Sequence, residues 1–187
     1  MADTTTKKTV PVKWQWLYNE PAPKALIEAL KHYGTLEHPG KGSEPNIILW
    51  AKELGVDGFY TDDDIPWCGL FAGIVMSRAG YDIPKKLDCL GARNWLNFGD
   101  VVFKGQEKLW DVLVFSRPGG NHVGFYVGEN SHAFLVYGGN QSNSVGFAWI
   151  DKHRLVGCRR AKWKIAQPPN VRKIILSETG ELSTNEA

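Results

Sequence analysis

Residues 62–80 read DDDIPWCGLFAGIVMSRAG. Pro66 suits the first position of a helix, where a missing N–H costs nothing and its fixed φ is already helical. Leu70, Phe71, Ile74 and Val75 follow at the spacing of an apolar helix face, and Gly80 stops the run. Cys68 therefore falls in the first turn. A cysteine on an apolar helix face reads by itself as core. A thiol at a helix N-terminus is chemically different, because unpaired N–H groups and the macrodipole favour its thiolate.

The rest of the first half also reads as helical. PAPKALIEALKHYG has Pro23 near its start, Leu26, Ile27 and Leu30 at helical spacing, and Gly34 as a stop. SEPNIILWAKELG has Ser43 as a possible N-cap and ends at Gly55. DCLGARNWLNFG reads as a fourth helix, with Asp88 as cap and Gly99 as stop. The second half changes period. LWDVLVFSR, HVGFYVGE, AFLVYGGNQ, SVGFAWI and RLVGCRRA are short β-branched or aromatic runs separated by Gly, Asn, Pro and Ser. Helices followed by strands predict an α+β fold, with the helices packed on one face of an antiparallel meander.

The chain has 187 residues and 43% hydrophobic content, which suits one domain with a proper core. Residues 1–20 read as a polar arm on which Trp14 and Trp16 can dock, 21–165 as the domain, and 166–187 as a linker and tail. The net charge is +2, with no basic stripe, so no nucleic-acid partner is expected. No apolar run reaches the roughly 18 residues a membrane span needs. The start, MADTTTKKTVPVKW, lacks an apolar segment before Pro11, so no secretory signal is expected. Cys68, Cys89 and Cys158 are odd in number and widely spaced, which fits reduced thiols rather than a disulfide framework or a zinc site.

A cysteine nucleophile needs a base, and the base needs an orienting group. Of five histidines, His122 in PGGNHVGFYVG opens an apolar strand just after a Gly-rich turn, where a site can open at a sheet rim. His32, His38, His132 and His153 lack that setting. One strand later, AFLVYGGNQSNSV places Asn140 and Gln141 behind two glycines. Asn140 is read as the carboxamide that holds the imidazole, with Gln141 its nearest competitor. Glu129 would also serve chemically but falls at the far end of the His122 strand.

The order PWC, HVGF, GGNQ, with ALKHYGTLEHPG, ILWAKELGV and ARNWLNFG around it, resembles the papain-like CHAP and NlpC-type cell-wall peptidases, and within them a phage-associated subgroup. The resemblance spans roughly residues 23–160. It implies a papain-like fold and a peptidoglycan amide hydrolase in which Cys68 is the nucleophile, His122 the base and Asn140 the orienter. It implies no cofactor. The protein would be a monomer made in a bacterial host's cytoplasm and would act on the wall after release or delivery. Trp67, Asp64, Glu37, Asn121 and Gln141 are the residues expected to line the substrate groove. Two other readings stay open on the same fold, an acyltransferase or deamidase effector and a non-catalytic binding module. Asp62–Asp64 reads as a helix-capping acidic turn rather than a calcium loop, since alternating ligand spacing is missing, and no metal site is expected.

Overall fold

The structure is a computed structural model and describes residues 8–177. Among the described residues, three α-helices precede a six-stranded sheet. The helices are α1 (Lys24–Leu30), α2 (Pro45–Glu53) and α3 (Cys68–Arg78). The strands are β1 (Asp100–Val102), β2 (Val112–Arg117), β3 (Gly120–Glu129), β4 (Ala133–Gln141), β5 (Ser144–Asp151) and β6 (Leu155–Arg160). All pairs are antiparallel and the order is β1-β6-β2-β3-β4-β5. The α+β class and the antiparallel pairing are as the sequence predicts. The sheet is more than a meander, because β6 returns to fill the gap between β1 and β2.

The pleat sorts the side chains into two cores. Val112, Val114, Val123, Phe125 and Val127 face the helices. Leu113, Phe115, Tyr126 and Val136 form a smaller cluster on the opposite face. α3 is the central helix, and its residues Cys68 to Met76 are all buried. It lies directly on β4: a Cβ on Gly139 would come within 2.5 Å of Phe71 Cβ and 2.8 Å of the Trp67 ring. That close approach requires glycine.

Several local expectations change. α3 begins at Cys68 rather than Pro66, with Trp67 as its N-cap residue. The N-cap of α2 is Glu44, and Ser43 Oγ instead accepts the Asp63 N–H at 3.4 Å. The fourth helix resolves into two 3-10 helices, Lys86–Leu90 and Ala92–Asn97, broken at Gly91. Of the arm and tail, residues 8–20 and 166–177 are described and pack on the body, while 1–7 and 178–187 lie outside the described residues. Val10, Trp14 and Leu17 are buried in the main core. Residues 171–176 lie along the sheet: Ile174 O accepts the Glu129 N–H at 2.9 Å, and Glu129 O accepts the Leu176 N–H at 2.8 Å. Arg172 pairs with Glu20 at 2.9 Å and so clasps tail to arm. Among the described residues, no helix is long and apolar enough to cross a membrane.

A polar network ties the helices together. Arg78 of α3 donates to Glu28 of α1 at 2.9 Å and to both carboxylate oxygens of Glu53 of α2 at 3.0 and 2.7 Å. Burial pushes the Glu28 carboxyl up, but Lys31, Arg78 and His32 outweigh it and hold it down at about 2. Burial holds the His32 imidazole below its ordinary value, against the pull of Glu28. Both groups titrate lower folded than unfolded, so the stability they contribute is present at neutral pH and lost on acidification. The urea midpoint is expected to fall as pH drops below 6.5, through His32, and again between 4.5 and about 2, through Glu28. Arg78→Ala is expected to cost about 1–2 kcal/mol at pH 7 and to flatten the lower step.

Candidate active site

Cys68 is the first residue of α3 and is 3% exposed. No side chain caps this helix end, so its first-turn N–H groups are not taken up by a cap. The N–H of Val123, on β3, is directed at the Cys68 thiol, as are those of Gly69 and Cys68 itself. Cys68 therefore sits against the backbone beside His122. Burial pushes the thiol up, opposed by those N–H groups and by the charge of Arg117. The helix N-terminus does not win here. The surroundings of the sulfur favour the thiol over the thiolate.

His122 is fully buried, and its Nε2–H donates to Gln141 Oε1 at 3.2 Å. The direction follows from the far end of the carboxamide. Gln141 Nε2 donates to Gly146 O at 2.6 Å and to Val136 O at 3.3 Å, so the NH2 is committed and the oxygen faces the ring. The Gln141 oxygen thus fixes a proton on Nε2 of His122 and sets the plane of its ring.

The carboxamide that holds His122 belongs to Gln141 and not to Asn140, a correction to the sequence reading. The β3–β4 ladder ends at Phe125–Tyr137, and its register carried outward would set Asn140 opposite His122. The chain leaves that register. Asn140 adopts φ +56°, and the strand pairing shifts between Gly138 and Gln141. Ser142 and Asn143, at φ +50° and +57°, then close a two-residue turn of the kind that suits strand twist. Gln141 swings over Gly138 and Gly124: a Cβ on Gly138 would lie 3.2 Å from Gln141 Oε1, and one on Gly124 3.7 Å away. Gly138, the first glycine of GGNQ, and Gly124, the glycine of HVGF, make room for the carboxamide. Asn140 Oδ1 is buried with no hydrogen-bond partner among the described residues.

Trp67 is not a groove residue. It is fully buried, its ring centroid lies 6.2 Å from that of Trp50, and its Nε1 donates to Glu37 Oε2 at 3.1 Å. Glu37 is half-buried in a loop that pairs with the β4–β5 turn, its N–H donating to Asn143 O at 2.8 Å. Burial pushes the Glu37 carboxyl up, and Asp63, Asp64 and Asp62 add to the shift against the Trp67 bond. Asp64 is exposed and does not cap α3, whose N-cap lacks any side-chain bond. Oxygens of Asp62, Asp63 and Asp64 lie within 4.8 Å of one another. Their clear tasks are local. Asp63 Oδ2 accepts the N–H groups of His38 and Glu44 at 2.8 and 2.7 Å, and Asp62 Oδ1 accepts that of Asp64 at 2.9 Å.

Asn121 braces the β2–β3 hairpin, donating to Phe115 O at 3.2 Å and accepting from Arg117 Nε at 3.3 Å. Glu129 is occupied by Lys152, Lys173 and Tyr126, far along β3 from His122. His32 packs edge-on against Trp50, while His38, His132 and His153 are exposed. Cys89 is pushed up by burial to about 11, and Cys158 is raised by burial and by Asp111. Both are buried free thiols.

Tyr60 escaped the sequence reading. It is fully buried, and its hydroxyl donates to Ile65 O at 2.5 Å, which holds the turn leading into Cys68. Its trace in the sequence is the second aromatic of Phe59-Tyr60, ahead of the acidic turn. Neither a scan against protein-family models nor a search of curated proteins returns a match to the chain.

Proposed function

We propose that the protein is a papain-like cysteine hydrolase that cleaves an amide bond of bacterial peptidoglycan. The observation that carries the chemistry is a thiol at the start of α3 set against the Val123 N–H, next along β3 to an imidazole whose Nε2 faces the Gln141 carboxamide. The substrate class rests on the PWC, HVGF and GGNQ resemblance. In this reading His122 Nδ1 takes the Cys68 proton while the sulfur attacks the amide carbonyl carbon. The N–H of Cys68 and its neighbours in the first turn hold the developing oxyanion. The tetrahedral adduct collapses with His122 protonating the departing amine, leaving a thioester on Cys68. Water, deprotonated by His122, then releases the acid and restores the thiol. Gln141 stays neutral and keeps the ring in place throughout.

Digestion of purified peptidoglycan, with products read by mass spectrometry, is expected to show paired new amine and carboxyl ends. The intact protein should carry a transient acyl adduct on Cys68. Products joined to an added amine instead of water would move the assignment to acyl transfer. A folded protein giving neither product nor adduct across several wall types would reject it.

A further inference from the structure

Arg117 closes β2 and pairs with Gly120, two residues beyond the Phe115–His122 pair. Side chains two apart along a strand share a face, so Arg117 and His122 point to the same side as diagonal neighbours. Gly120 offers no side chain there, and the arginine crosses the hairpin to donate Nε to Asn121 O at 3.3 Å. That single bond leaves both terminal nitrogens of the guanidinium for another group. Arg78, Arg160 and Arg172 all end on carboxylates. Arg117 is half-buried, yet no carboxylate pairs with it among the described residues. A partly desolvated arginine fork without a counter-ion is suited to a planar anion. Its charge also reaches the Cys68 thiol.

We infer that Arg117 is a specificity-determining residue that docks a carboxylate of the acyl-donor substrate beside His122. The substrate class is then a peptide with a free carboxylate close to the amide that is cut. The inference rests on the Cys68–His122 reading of the site but needs no particular polymer.

A pair of alkylating reagents tests it. Iodoacetate and iodoacetamide both form a thioether on Cys68 with loss of iodide, and they differ in one negative charge. The ratio of their rates cancels any change in thiolate fraction, which both share. In Arg117→Gln the iodoacetate-to-iodoacetamide ratio is expected to fall about three- to tenfold, and in Arg117→Lys to stay near wild type. In a second arm, stem-peptide substrates carrying a carboxylate or a carboxamide next to the cut amide are compared. Arg117→Gln should raise KM for the carboxylate form alone, with kcat little changed. An unchanged alkylation ratio, or equal slowing of both reagents, overturns the inference. A lowered ratio without any wall digestion supports the anion site and rejects peptidoglycan as its substrate.

Discussion

Cys68→Ala is expected to reduce amide hydrolysis by at least about 10⁴-fold, and Gln141→Leu by about 10²–10³-fold, with both variants folded. The two numbers differ for a physical reason. Without the sulfur there is no covalent route. Without the Gln141 carboxamide the imidazole remains, but nothing selects the Nε2–H tautomer or fixes the ring against rotation, so only a fraction of encounters is productive. The Gly146 and Val136 carbonyls also lose their donor. Asn140→Gly is the matching control. Glycine keeps the left-handed backbone at φ +56° while deleting a side chain that makes no bond to His122. It should retain activity within about threefold of wild type, given that surrounding contacts persist. Steady-state kcat for the three variants decides the matter. A larger loss in Asn140→Gly than in Gln141→Leu would reverse the assignment of the third residue.

Trp67→Ala is expected to destabilise the protein by about 3–5 kcal/mol, measured by urea denaturation. The indole is fully buried between Trp50 and the β4 glycines, and its removal leaves a cavity lined by backbone that cannot collapse. Trp67→Phe keeps most of the packing and loses the bond to Glu37, which should cost about 1–2 kcal/mol. A tryptophan that stacked on substrate would behave oppositely, with stability intact and KM raised. The residue therefore serves Cys68 by fixing the helix start, and it reaches the loop carrying Glu37 through one N–H.

Much of this architecture is readable from residue order. Gly80 and the apolar spacing after Pro66 announce α3, and the Gly-rich turn before His122 announces β3. What is not readable depends on contacts distant in sequence. Residue order puts Asn140 and Gln141 together one strand after His122, and only the left-handed turn at Asn140 decides that Gln141 reaches the ring. Adjacency to Cys68 suggests exposure for Trp67, but successive residues at a helix start point in different directions, and this one points into the core. The acidic turn looked like a cap for α3. Its central carboxylate instead serves the His38 and Glu44 N–H groups on the far side of a loop. Ile174–Leu176 was too short to read as an element, yet three residues suffice to lie along an existing strand, where Gly128 leaves room for Leu176. β1 is equally short and gains its pairing from β6.

The place of β6 bears on how the protein is made. Synthesis delivers Cys68 first, His122 and Gln141 much later, and β6 last of the strands. Until residue 160 has emerged, β1 and β2 have no common neighbour, and each presents an unpaired edge. The clasp between Glu20 and Arg172 must wait longer still. Such late, distant pairings slow folding and expose nascent chains to misassembly. They also mean that a chain interrupted during translation holds its thiol without a partnered base. On the proposed reading, Cys68, His122 and Gln141 come together only as the sheet is completed.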